Sequence, residues 1–592
     1  MLSFDQILVF IVLVFILISL YREILGPAFT FLVGVIVLGI FGVLTPSEIL
    51  KGFGNEQIAV VIMLLLIGDV IRRTAVVEVI FDRFFKSARS YRGFMSRMTF
   101  LIAGFSAFLN NTPLVAVMIP YVHSWCKRNN ISPSKFLIPL SYSAILGGSA
   151  TLIGTSTNLI VNGLVVDQTI IPDLEPLKIF DFAIVGIPMI VVGSLYLLFF
   201  GERLLPTKPD TLTQFSLGRR EYMVEAKIVQ KSPLIGKTIE EAGLRNQLGF
   251  HIVEIWRRGY KISVFGADFL LDRGDILILA GETEAIADMV KSRSGLNIPE
   301  VGMLSKKSRT EIVEVVVSQN STIVNKTVRE ANFRSKYDAA IVSVHRNGEL
   351  IKGKVGEVIL KAGDVLLLFT GENFVARTVA MKDFYFISKV REMVKLEWYK
   401  SAILLGGLIL AILLAALNLF PLFISLLLLL VLSLAMQVTH PRELPGAIDY
   451  NLALIIVLSL ALGTAMIKTG TADLVADGVI RLFRPLGVIG ILTGIYLITT
   501  ILAAYITSKA AAAIIFPIAL TTSVNLSMDP MPFILITAYA SAANFMTPVG
   551  FQTNLMVYGP GGYSFRDFFR VGAPLTFLYM VVCITILSMI YV

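Results

Sequence analysis

Apolar segments fall near 5–21, 24–44, 57–71, 98–125, 135–165 and 182–203. A charged, mixed block follows from about 204 to 396, and apolar segments resume near 399–417, 418–438, 451–468, 488–525, 531–557 and 572–591. Several runs are long enough to cross a hydrocarbon core of about 30 Å as helices. Two polar stretches interrupt each half. In the first half they are Asn110-Asn111-Thr112-Pro113 and Gly154-Thr155-Ser156-Thr157-Asn158; in the second, Thr507-Ser508-Lys509-Ala510 and Gly550-Phe551-Gln552-Thr553-Asn554. Non-helical backbone at membrane depth is tolerated only where it is buried in protein or lines a cavity. The four stretches are therefore expected to meet near the midplane and form a substrate site.

The six segments before the block match the six after it in order and spacing, the mark of an internal repeat. Pro120 and Pro517 lie 397 residues apart, as do Tyr142 and Tyr539; Gly154 and Gly550, and Asn158 and Asn554, lie 396 apart. Segments 98–125 and 488–525 are too polar at their centres for plain spans. Each reads as a re-entrant hairpin, which leaves five crossings per half and inverts the second half relative to the first, the logic of many secondary transporters. The bases of 72–97 (Arg72, Arg73, Arg83, Lys86, Arg89, Arg92, Arg97) place that loop in the cytoplasm by the positive-inside rule. On this reading the middle block is cytoplasmic and both termini are external. Arg481 and Arg484 then fall outside, against the rule.

The middle block repeats too. Ser232 to Thr238 matches Ser321 to Thr327, Gly259 matches Gly348, and Gly274-Asp275 matches Gly363-Asp364, each 89 residues apart. Each copy reads as strand, short helix, strand, Gly turn, strand, then Gly-Asp into the apolar strand Ile276–Ala280 or Val365–Phe369, and a helix. Two small α+β domains over 218–298 and 309–388 follow, between transmembrane repeats over 1–203 and 398–592.

Composition changes the picture little. Of 592 residues, 55% are apolar and 16% charged, as a multi-pass membrane protein requires. The net charge of +9 fits a basic cytoplasmic surface, not a nucleic-acid partner. Residues 5–21 lack a basic n-region and a small-residue cleavage site, so they read as a span and not a signal peptide. The two cysteines, Cys126 and Cys583, and the four histidines show no ligand spacing. No nucleophile–base constellation marks an enzyme, and no organic cofactor is indicated.

The tips carry the chemistry. Amide N–H and hydroxyl groups of Asn110, Asn111 and Thr112 can hold an anion, helped by helix N-termini, without a basic side chain. Oxygens exposed by the break Thr151–Asn158 suit a hard cation such as Na⁺. Lys509 is the anomaly, an ionisable residue in Ala-rich apolar sequence. Three roles stay open to it: an ammonium replacing a bound Na⁺, an anion contact, or a titrating group of lowered pKa that couples transport to protons. Asp69 beside Arg72 and Arg73, and Lys468, read as interfacial. Trp256 to Gly259 and His345 to Gly348 read as hairpin turns.

The tips Phe108 to Pro113 with Pro120, and Ile506 to Ala510 with Pro517, resemble the paired hairpin motifs of the divalent-anion/sodium symporter family. Thr547-Pro548-Val549-Gly550 resembles the loop that follows there, and the middle block resembles two TrkA-C domains. The resemblance implies a polytopic α-helical fold, a homodimer in the cell membrane and elevator movement. It implies an anion between the tips, at Asn110, Asn111, Thr112, Thr507, Ser508, Lys509, Thr547 and Pro548. It implies Na⁺ beside each tip, at Ser106, Asn111, Gly154, Thr155 and Asn158 in one half and at Gly550 and Asn554 in the other. Ser508 and Lys509 depart from the family's pattern, which sets the second Na⁺ site apart from the first and leaves open whether Lys509 replaces the ion or binds substrate. The expectation is Na⁺-coupled uptake of small divalent anions, sulfate before dicarboxylates, with a small regulatory ligand at the TrkA-C pair. A sodium/proton antiporter using Lys509 and a non-transporting anion sensor are the alternatives.

Overall fold

The computed structural model describes residues 2–592 except 23, 74–75, 86–89, 130, 173, 209–221, 230–231, 243, 245–249, 258–259, 263–267, 282–295, 298–310, 319–320, 347–348, 352–354, 371–373, 380–382, 387–397 and 449. Ten helices precede the middle block: α1 (Phe4–Tyr21), α2 (Pro27–Ile40), α3 (Pro46–Lys51), α4 (Glu56–Arg73), α5 (Val76–Phe85), α6 (Tyr91–Ser106), α7 (Asn111–Asn129), α8 (Leu137–Gly148), α9 (Ser156–Asp167) and α10 (Ala183–Leu204). Among the described residues of the block lie strands β1–β10 and two short helices, α11 (Phe333–Tyr337) and α12 (Phe374–Val379). After it come α13 (Trp398–Ala416), α14 (Leu422–Ala435), α15 (Tyr450–Lys468), α16 (Thr471–Phe483), α17 (Gly487–Tyr505), α18 (Ser508–Asn525), α19 (Met531–Ala542), α20 (Gln552–Tyr558) and α21 (Phe565–Tyr591).

Among the described residues, six helical runs are long and apolar enough to cross a membrane, α1, α10, most of α13, α15, α16–α17 and α21, and the bent pair around α3 and α4 makes a seventh. Segments that read as single apolar runs over 135–165 and 531–557 are each two helices, α8 with α9 and α19 with α20, joined through a break. The stretch read as a loop over 72–97 contains α5 and the start of α6. Asp69 is buried in α4, while the Arg72 and Arg73 side chains lie outside the described residues. Lys468, at the end of α15, is half exposed and its ammonium lies 3.0 Å from Glu48 of α3.

Burial sorts the helices into two layers. Long outer helices expose apolar faces, as at Ile11 and Ile18 of α1, Phe199 of α10 and Phe577 of α21. Such faces belong against lipid. Every residue of α8 is buried, and so are nearly all of α18 and α19. The Ala-rich run Ala510–Ala513 lets α18 pack closely against α15, α19 and α9. The helix order α6–α7–α8–α9–α10 recurs as α17–α18–α19–α20–α21, and so do the pairings: α6 packs on α8 as α17 packs on α19, and α10 on α8 as α21 on α19. Pro120 inside α7 and Pro517 inside α18 occupy matching places.

The middle block folds as two copies of one antiparallel sheet. Strands β1 (Tyr222–Ile228), β2 (Phe250–Arg257), β3 (Tyr260–Ile262), β4 (Ile276–Gly281) and β5 (Leu296–Asn297) run in the order β3-β2-β4-β1-β5. Strands β6 (Glu311–Val317), β7 (Ala339–Arg346), β8 (Glu349–Leu350), β9 (Val365–Thr370) and β10 (Phe384–Phe386) take the order β10-β6-β9-β7-β8, the same sequence of neighbours reversed. A register shift between Ile252 and Glu254 recurs between Ile341 and Ser343. Arg257 grips the buried Asp275 through Nε and Nη2 at 2.8 and 2.7 Å, and Arg346 grips the buried Asp364 at 2.7 and 2.8 Å. These bidentate pairs close each copy internally, which explains the Gly-Asp signature. The short helix and closing helix expected in the first copy fall on 245–249 and 282–295, outside the described residues. The closing strands β5 and β10 carried no strong sequence signal.

Candidate functional site

Each tip is built as a helix N-terminus. Asn110 Oδ1 accepts from the Thr112 N–H at 3.2 Å and caps α7; Thr507 Oγ1 accepts from the Ala510 N–H at 3.2 Å and caps α18. Short polar side chains are favoured there because they satisfy N–H groups the helix leaves open. The next residue turns inward in both halves. Asn111 is buried against Gly148, the last residue of α8: a Cβ on Gly148 would lie 2.6 Å from Asn111 Nδ2. Ser106 Oγ lies 2.8 Å from the Ala144 carbonyl and also hydrogen-bonds Asn111 Oδ1. In the second half Ser508 Oγ donates to the Gly550 carbonyl at 3.2 Å.

The breaks follow one hydrogen-bond plan. Thr151 Oγ1 donates to the Ala107 carbonyl and accepts from Gly154 N–H at 3.1 Å. Thr547 Oγ1 donates to the Ala504 carbonyl at 3.3 Å and accepts from Gly550 N–H at 3.1 Å. Asn158 Nδ2 donates to the Thr151 carbonyl at 2.9 Å, and Asn554 Nδ2 to the Thr547 carbonyl at 3.0 Å. A Thr pins each break to its own tip, and an Asn one turn into the next helix braces the break from the far side.

Two departures from this plan matter. Asn554 Oδ1 accepts from Ser141 of α8 at 2.7 Å, whereas Asn158 Oδ1, equally buried, has no hydrogen-bond donor among the described residues. The place matching Ser141 is Ala538, just before Tyr539, and it has no side-chain hydroxyl to offer. Asn544 stands in the second break at the place Gly148 holds in the first. Its Nδ2 donates to the Ala503 carbonyl at 2.6 Å, its amide fills the space a Cβ of Gly550 would need, and its Oδ1 has no donor among the described residues. The amide that the first half places on its tip, at Asn111, the second half places in its break, with Ser508 on the tip.

The halves also interlock. Thr112 Oγ1 donates to Gln552 Oε1, at the start of α20, at 3.1 Å. Tyr142 of α8 donates to the Phe545 carbonyl at 2.6 Å, and Tyr539 of α19 to the Phe182 carbonyl at 2.7 Å. The first tip thus meets both breaks, the second tip meets its own break, and α18 packs along α9.

The family model described as a citrate transporter (CitMHS) matches residues 10–479 and again 412–592. This chain belongs to the citrate transporter family. Relatives run along nearly its whole length: an uncharacterized transporter of Synechocystis is 31% identical over 98% of this chain and 96% of its own. A putative sulfur deprivation response regulator of Chlamydomonas reinhardtii is 34% identical over 92% of this chain and 95% of its own. Sodium/sulfate cotransporter 2 of the same alga is 27% identical over 94% of this chain and 86% of its own. As a member of the citrate transporter family with these helical runs, the chain is a multi-pass membrane protein of a transporter class.

In this member of the family a small cleft opens beside the first tip, between Gly68 of α4, Asn110, Gly154 and Ser156 of the first break, Leu408 of α13 and Leu452 of α15. Its polar side chains, Asn110 and Ser156, come from the tip and break; α4, α13 and α15 line the rest. Thr155 is buried ahead of α9, and Pro548 is buried in the second break. Lys509 is half-buried in the first turn of α18. A cation there opposes the helix macrodipole, so an anion nearby would relieve it. Among the described residues no group of His, Cys, Asp and Glu could hold a metal ion. Ser141, Asn544 and Gln552 are the site residues the sequence reading passed over. Ser141 hides in an apolar helix, and Asn544 breaks the repeat instead of obeying it. Gln552 was visible only as one more polar residue of the break.

Proposed function

We propose that this protein is a sodium-coupled secondary transporter of small divalent anions, with sulfate as the preferred substrate and dicarboxylates next. The observation that carries the reading is the pair of buried tip–break junctions, each with an amide carbonyl, Asn158 Oδ1 or Asn544 Oδ1, that lacks a donor among the described residues. A buried acceptor without a donor costs about 1–3 kcal/mol, and a hard cation relieves that cost. The first Na⁺ is assigned to Ser106, Asn111, Gly154, Thr155 and Asn158; the second to Gly550 and Asn554, with Asn544 added. The anion lies between the tips, held by Asn110, Asn111, Thr112, Thr507, Ser508, Lys509, Thr547 and Pro548. The N-termini of α7 and α18 contribute N–H groups and a favourable dipole. Lys509 is assigned to the anion, not to a replaced cation, because Asn544 restores an amide oxygen to the second half.

In this reading the two halves are an inverted repeat, 98–125 and 488–525 are re-entrant hairpins, and the tip helices move as one body in an elevator past α4, α13 and α14 of a homodimer. The insert is a cytoplasmic pair of TrkA-C-type domains that binds a small regulatory ligand. The sulfate and sodium named for the algal cotransporters support the substrate pair. The test is uptake of radiolabelled sulfate and succinate into proteoliposomes under Na⁺ or pH gradients. Sulfate uptake stimulated by inward Na⁺ is expected. Uptake of neither anion under any gradient would overturn the reading, and Na⁺/H⁺ exchange without anion uptake would replace it with the antiporter.

A further inference from the structure

The second insert copy turns two faces outward. In β6, Val315 and Val317 point into that copy's own core, while Val316 between them does not; Phe384 and Phe386 of β10 point in, and Tyr385 between them does not. Cross-strand register lines Tyr385, Val316 and Val365 into one row over β10, β6 and β9. Val316 and Val365 are nonetheless buried, so another element covers this outer face. That element is α20. A Cβ on Gly363 would lie 2.9 Å from Leu555 Cδ1, and a Cβ on Gly559, just past α20, would lie 2.7 Å from Val365 Cγ2.

The first copy cannot dock in this way. In its matching row Lys227 stands in place of Val316 and Asn297 in place of Tyr385, and Lys227 is exposed. The second copy also anchors the strand that bears Tyr385. The buried Asp383 carboxylate accepts from Ser321 Oγ at 2.9 Å, Thr322 N–H at 2.6 Å and Tyr337 OH at 2.6 Å. At the matching place the first copy has Ser294 and Gly295.

From this seat Tyr385 reaches the transport site. Its hydroxyl accepts from Gln552 Nε2 and from Ser318 Oγ, the latter at 3.3 Å, and Gln552 Oε1 accepts from Thr112 Oγ1 on the first tip. A glutamine amide held at its nitrogen presents its carbonyl in a fixed direction. We propose that Tyr385 is a positioning residue of the transport site: the second insert copy docks on α20, holds the Gln552 amide, and so fixes the Thr112 side chain, whose one proton goes to Gln552, and with it the open N–H groups at the start of α7 that face the anion. The second copy is thereby the part of the insert that tunes anion affinity, and the first copy stands off the site. This inference rests on the anion site proposed above.

The experiment measures sulfate uptake by the full chain in proteoliposomes. Tyr385→Phe keeps the ring in its seat and removes only the hydroxyl. It is expected to raise KM for sulfate about three- to tenfold, the worth of one buried hydrogen bond, with Vmax changed less than twofold. Thr112→Val raises KM as well, and the double variant raises it no more than the larger single effect, because both act through one amide. A KM unmoved by Tyr385→Phe while Thr112→Val shifts it would overturn the positioning role and leave the site standing, as would strictly additive effects. A silent Thr112→Val would remove the site and this inference together. As an independent readout, Val365→Cys with Gly559→Cys, in a chain with Cys126 and Cys583 changed to alanine, is expected to crosslink on mild oxidation in membranes; no crosslink would overturn the docking whatever the kinetics show.

Discussion

Thr151 and Thr547 each use one hydroxyl to tie a break to its tip and to satisfy a glycine N–H. Replacing either by valine keeps the shape and strands a buried N–H, a loss of about 1–3 kcal/mol. Where that loss falls on the ion-bound state, Thr151→Val is expected to raise the Na⁺ concentration for half-maximal uptake about tenfold, read from Na⁺ titrations of sulfate uptake. Lys509→Asn tests the remaining charge: sulfate KM should rise while Na⁺ dependence persists, and a switch to proton-independent exchange without anion uptake would instead mark Lys509 as the titrating group. At this scale the sequence was a good guide wherever a residue obeyed the repeat. Gly154 and Gly550, and Asn158 and Asn554, hold matching places in the two breaks, as their spacing predicts. Asn544 was missed for the same reason, since periodicity cannot point to a residue whose partner is a glycine.

Among the elements, the broken helices and the insert sheets behave differently. The breaks were legible because Gly and Thr interrupt apolar sequence, and their helix ends fall where those residues predict. The closing strand β10 was not legible: three residues are too few for a period, and its place is fixed by Asp383 and by packing on α20. Burial pushes the Asp383 carboxyl up, but hydrogen bonds from Tyr337, Thr322 and Ser321 with Lys336 beside it outweigh that and hold it below the ordinary carboxylate range. A carboxyl of depressed pKa contributes stability above its unfolded value of about 4, and that contribution is lost as pH falls through the folded value. Asp383→Asn is therefore expected to lower the stability of the second copy at neutral pH and to flatten its loss below about pH 4, measured by acid titration of proteolytic protection at β10.

For the whole molecule, a ligand that binds only the folded site raises the melting temperature. Sulfate with Na⁺ should stabilise the detergent-solubilised protein more than either alone, and K⁺ should not substitute; equal shifts with both cations would count against sodium coupling. The global plan, two similar sets of helices around a block of two sheets, was readable because lipid demands apolar length and repeats leave fixed offsets. How the insert meets the membrane helices was not, because that interface is built from single residues on alternate strand positions. One local exchange bears on how the halves diverged. Asn111 against Gly148 and Ser508 with Asn544 at Gly550 are two solutions to the same packing problem. An intermediate with both amides would overfill the junction, and one with neither would leave its oxygens missing. The two changes had to travel together after duplication, so a second half carrying Ser508→Asn with Asn544→Gly should transport where each change alone fails. The asymmetry is then a record of paired substitution, and the present pairing of Ser508 with Asn544 is one of two interchangeable packings the scaffold accepts.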